Sequence, residues 1–163
     1  MSSDEKYIKR TFQLARMGVG KVNPNPLVGA VIVKDDSVIA EGFHREFGDD
    51  HAEIDAIKNA TESVEGSTVY VNLEPCSHYG KTPPCARRLI DEKVRRVVIA
   101  MRDPNPQVSG EGVKMLRNAG IEVSEDILKE EALDLNRVFV KYITQGLPYV
   151  VMKAAMTLDG KIA

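Results

Sequence analysis

Cysteine is scarce in this sequence. The 163 residues hold two, Cys76 and Cys85, and both fall within EPCSHYGKTPPC at 74–85. Long apolar runs are absent: none approaches the roughly 20 residues that a membrane span needs, and the opening MSSDEKYIKR has no apolar signal core. A surplus of one charge is missing too. The net charge of −2 gives no electrostatic footprint for nucleic acid or an anionic membrane surface. Internal repeats and low-complexity tracts are lacking, which excludes solenoids and long disordered linkers. Together these absences predict a cytoplasmic protein with neither a membrane nor a nucleic-acid partner. In a reducing compartment, two cysteines in one loop point to metal or catalysis rather than to a disulfide.

What is present suits a single domain. A chain of 163 residues, 43% apolar and 28% charged, is long enough to bury about two-thirds of its unfolded surface. Ser3 or Asp4 can cap a first helix with the stripe Ile8, Phe12, Ala15 and Val19, and the NPNP turn (23–26) follows. LVGAVIVK (27–34) and VIAEGFH (38–44) read as an antiparallel hairpin. Helices then alternate with strands: a helix at 51–61, a strand at 67–73, a helix from PPCARRLIDEK, a strand at 95–101, a helix at 111–119, the short strand IEVS, and one long helix over 127–145. That alternation implies a largely parallel sheet covered by helices on both faces. The tail LPYVVMKAAMTLDGKIA (147–163) opens as a further strand.

Four side chains are of metal-ligand type: His51, Cys76, His78 and Cys85. Thiolate and imidazole suit zinc, which takes four protein ligands in a structural site and three in a catalytic one. The segment HAE (51–53) bears on the choice. In a helix beginning at His51, His51 and Glu53 lie about 200° apart around the axis, so both reach a metal only off the helix N-terminus. Pro83 and Pro84 open the next helix and bring Cys85 to a second N-terminus. Two helix ends converging on one metal, with a carboxylate beside it, describe a catalytic site.

His-Ala-Glu followed by Pro-Cys and a second cysteine resembles the zinc-dependent nucleobase deaminases, except that eight residues separate the cysteines instead of two. NPNPLVGAVIV, HAEIDAI, LEPCSHYGKTPPC, RDPNPQVSGEG and the closing segment together resemble the riboflavin-biosynthesis pyrimidine deaminases, over essentially the whole chain. The resemblance implies a three-layer α/β/α cytidine-deaminase-like fold with a mixed central sheet of about five strands. It implies His51, Cys76 and Cys85 as zinc ligands and Glu53 as the proton shuttle. Asn25, His44, His78 and Lys81 become substrate contacts, with Lys81 offering a point charge to a phosphate. The implied substrate is diaminohydroxyphosphoribosylaminopyrimidine, a small phosphorylated pyrimidine. Residues 1–146 would form the deaminase domain, and 147–163 the start of a C-terminal reductase domain otherwise absent from this chain. An unpaired apolar strand there leaves self-association into a homo-oligomer open.

Competing readings exist at each position. Asn25 also suits a plain turn, and Asn23 is its chemical equal. His44 at a strand end suits a surface position. YGKT (79–82) is no phosphate loop, since that motif requires glycine where Pro75 stands. Asp103 and Asn105, in a Pro- and Gly-rich connection after a buried strand, are candidates for the pocket wall. Two rival functions remain: deamination of another base, a nucleoside or transfer-RNA adenosine, and a non-catalytic structural zinc module using all four ligand-type residues.

Overall fold

A computed structural model describes residues 2–79, 83–106 and 108–162. Helix α1 (Ser3–Arg16) starts at a capping box: Ser2 Oγ accepts from the Glu5 N–H, and the Glu5 carboxylate accepts from the Ser2 N–H. Ile8, Phe12 and Ala15 are buried as their spacing predicts. Val19 is 62% exposed, because the helix ends at Arg16 and the stripe ends with it.

Strands β1 (Gly29–Lys34) and β2 (Ser37–Phe43) form the expected antiparallel hairpin. After them come α2 (Ala52–Lys58), β3 (Thr68–Leu73), α3 (Cys85–Asp91), β4 (Arg96–Met101), α4 (Glu111–Asn118) and β5 (Glu122–Ser124). The five strands lie in the order β2-β1-β3-β4-β5. The sheet is mixed: β1 pairs antiparallel with both β2 and β3, whereas β3-β4 and β4-β5 are parallel. It is therefore less parallel than strand–helix alternation alone suggests.

Alternate residues of the central strands feed opposite layers. Ala30, Ile32, Val69, Val71, Val97 and Ile99 pack with residues of α2, α3 and α4. Val31, Val33, Tyr70, Val98 and Ala100 pack with Ile8, Phe12 and Leu14 of α1. This is the three-layer α/β/α arrangement.

The long helix expected at 127–145 is two, α5 (Lys129–Leu135) and α6 (Arg137–Gln145). Asn136 stands between them at φ −104°, ψ 19°. Its Oδ1 accepts from the Leu27 N–H at 2.8 Å, and its Nδ2 donates to the Leu27 carbonyl at 2.9 Å. Docking this amide on a distant segment overrides local helical preference. Residues 147–162 form no strand. They are exposed, with one isolated bridge between Met156 and Ile162, because no sheet edge is paired with them.

One glycine sets the distance between layers on the side of the sheet that carries α2. A Cβ on Gly42 of β2 would lie 2.2 Å from Ala56 N, so α2 rests directly on bare backbone.

Candidate metal centre and active site

His51 is the N-cap of α2 and Cys85 is the first residue of α3, so two helix N-termini converge, as the sequence requires. Cys76 arrives from the loop after β3. His51 Nδ1 stands 3.2 Å from Cys85 Sγ and 3.6 Å from Cys76 Sγ. The Cys85 N–H donates to Cys76 Sγ at 3.2 Å. All three donor atoms lie within 4.8 Å of one another. A tetrahedral zinc with Zn–S of about 2.3 Å and Zn–N of about 2.0 Å separates nitrogen from sulfur by roughly 3.6 Å, so the group fits that ion. His78 is exposed and lies outside this group, which comprises three residues among those described.

The donors share protons unequally. Hydrogen bonding from Cys85, with His51 adding to it, lowers the Cys76 thiol to about 4 against the opposing effect of burial. Hydrogen bonding to Cys76 raises His51 to about 9, while the Cys76 interaction and burial raise Cys85. Glu53, on the first turn of α2, is only 3% exposed. Burial raises its carboxyl, and the charge of His51 opposes that shift.

Glu53, His51 and Cys76 line a cavity of about 220 Å³ together with Asn25, His44, His78 and Asp103. His44 is buried and held from both sides. Its Nδ1 lies 2.9 Å from the Asp50 carbonyl and its Nε2 lies 3.0 Å from Asn25 Nδ2. A proton on Nδ1 satisfies the carbonyl and leaves Nε2 to accept from the Asn25 amide. Asn25, rather than Asn23, reaches the cavity. Lys81 lies outside the described residues. Asp103 lines the cavity as expected, its Oδ1 accepting from the Asn105 N–H at 2.8 Å.

The family model for the cytidine and deoxycytidylate deaminase zinc-binding region matches residues 1–101. The chain belongs to this family. It is 51% identical over 161 residues to the riboflavin biosynthesis protein RibD of Actinobacillus pleuropneumoniae, covering 99% of this chain and 43% of that protein. To Escherichia coli RibD it is 48% identical over 160 residues, covering 98% of this chain and 44% of the relative. The crystal structure of a diaminohydroxyphosphoribosylaminopyrimidine deaminase/5-amino-6-(5-phosphoribosylamino)uracil reductase from Thermotoga maritima superimposes with a TM-score of 0.94 at 53% identity, covering 98% of this chain and 46% of that one. The chain thus spans less than half the length of these relatives. No described helix is long and apolar enough to cross a membrane.

Some residues that shape or line the cavity escape sequence reasoning. Asn72 is fully buried on β3; its Oδ1 accepts from the Gly29 N–H at 2.7 Å and its Nδ2 donates to the Leu27 carbonyl at 2.9 Å. With Asn136 it fixes the segment that carries Asn25. Phe139 of α6 lines the cavity, yet its sequence context shows only an amphipathic helix. A polar Asn near the end of the otherwise apolar strand TVYVNL is the one local signal that Asn72 is special.

Proposed function

We propose that the chain catalyses the zinc-dependent hydrolytic deamination of diaminohydroxyphosphoribosylaminopyrimidine, releasing ammonia in riboflavin biosynthesis. The observation that carries the reading is a His51/Cys76/Cys85 donor group sharing one cavity with the buried carboxylate of Glu53. The likeness to RibD proteins across nearly the whole chain supports the choice of substrate. Zinc held by those three residues lowers the pKa of water to about 7 and so supplies a nucleophile at neutral pH.

In this reading Glu53 takes the proton of the attacking water and passes it to the ring nitrogen beside the carbon under attack. It then takes the second proton from the new hydroxyl on that carbon and delivers it to the amine, which departs as ammonia while the ring carbon becomes a carbonyl. Burial raises the Glu53 carboxyl above its usual range, which favours its taking the proton from water. Asn25, oriented by His44, and His78 at the cavity rim hold the pyrimidine. Lys81 holds the phosphate.

The test is steady-state ammonia release from the phosphoribosylaminopyrimidine, compared with cytidine and deoxycytidylate. The reading expects kcat/KM at least a hundredfold higher for the phosphoribosylaminopyrimidine. A preference for cytidine or deoxycytidylate would overturn it.

A further inference from the structure

Glu74 is 5% exposed and belongs to neither the donor group nor the proton shuttle, yet it lines the same cavity. Its Oε2 accepts from the Asp103 N–H at 3.1 Å and the Gly110 N–H at 2.9 Å, and its Oε1 accepts from the Val113 N–H at 3.1 Å. Two backbone donors of the connection between β4 and α4 and one from the first turn of α4 thus end on one carboxylate just after β3. The chain closes on it from the other side as well. A Cβ on Gly112 would lie 2.1 Å from the Pro75 carbonyl and 3.1 Å from Glu74 Oε1, so α4 touches the cysteine loop without an intervening side chain.

We infer that Glu74 is a positioning residue that docks the pocket wall bearing Asp103 onto the loop bearing Cys76, and thereby sets substrate affinity. All three partners are N–H groups, so the site needs an acceptor at both oxygens; an ionised carboxylate supplies that, whereas a carboxamide places its own N–H₂ against a backbone N–H. A salt bridge is not required, and none involving Glu74 occurs among the described residues. Asp103 shares in the consequence: burial raises its carboxyl, and the charge of Glu74 raises it further. Glu74 thus holds the Asp103 backbone while influencing the charge that Asp103 presents to the cavity.

The inference rests on the proposed deaminase reading, and its test separates the two. In Glu74→Gln the expected result is zinc content equal to wild type, KM for the phosphoribosylaminopyrimidine raised about tenfold or more, and kcat changed less than threefold. A purely structural role would lower the melting temperature and the active fraction with KM unchanged, and that outcome overturns the inference. Amide hydrogen exchange on the unmodified chain supplies a second readout that needs neither a variant nor turnover. The amides of Asp103 and Gly110 should exchange at least a hundredfold more slowly than exposed loop amides. Exchange at loop rates would also overturn it. Wild-type protein inactive on this substrate, yet protected at both amides, would refute the deaminase reading and leave the clamp standing without its role in affinity.

Discussion

Glu53 and Glu74 are both buried carboxylates at the edge of one cavity, and their surroundings assign them opposite tasks. Glu74 meets three backbone N–H groups and is held in place. Glu53 sits between a histidine and two sulfurs, where its proton affinity is raised by burial. His78 sets a further distinction at this scale. Because it stands outside the three-residue donor group, His78→Ala should retain zinc and weaken substrate binding, raising KM; a variant that loses its zinc would instead support a four-ligand structural site. Asn25→Ala removes an amide that His44 orients, and one lost hydrogen bond of about 0.5–1.5 kcal/mol should raise KM roughly tenfold at most. The donor group of His51, Cys76 and Cys85 was legible in the sequence because its side chains announce their chemistry, and two of them lie at helix starts marked by HAE and PPC. Glu74, Asn72 and Asn136 were not, because their partners are backbone groups of remote segments, which no local pattern encodes.

At the level of elements, two polar contacts fix where helices sit. Asp4 on α1 receives Arg96 of β4 at both oxygens, at 3.0 and 2.8 Å, while the Tyr70 hydroxyl donates to it at 3.1 Å. The Arg96 hydrogen bonds hold the Asp4 carboxyl below its usual range. A depressed folded-state pKa means that the stabilisation is complete above the unfolded value near 3.9 and is lost as pH falls through the folded one. Asp4→Asn should therefore lower stability by about 1–3 kcal/mol at neutral pH, and the gap from wild type should close below roughly pH 3.9, as read by denaturant unfolding across pH. Asn136 is the second contact. Asn136→Ala would mend local helix propensity, but it leaves the Leu27 N–H without its acceptor, at a cost of about 1–3 kcal/mol; a variant more stable than wild type would contradict that account. Helical periodicity located the segments well and placed their ends poorly. Val19 and the break at Asn136 both depend on where the chain must turn to pack, which periodicity does not carry.

For the molecule as a whole, the layering followed from alternation of strands and helices, and the antiparallel central pair β1-β3 did not. The α2 crossover joins β2 to β3 with β1 inserted between them, antiparallel to both, and the sequence alone does not show that insertion. A net charge of −2 carries a prediction at this scale. Titration with transfer RNA at about 150 mM salt should give no saturable binding, whereas salt-sensitive micromolar binding would favour a nucleic-acid substrate.

The central claim is that one zinc, held by His51, Cys76 and Cys85, works with Glu53 on the phosphoribosylaminopyrimidine. The most direct measurement is ammonia release from that compound by wild-type and Glu53→Ala protein, with zinc quantified in the same samples. The account predicts about one zinc per chain in both and a loss of at least a hundredfold in kcat in the variant. Turnover by Glu53→Ala at near the wild-type rate, with its zinc intact, would contradict it.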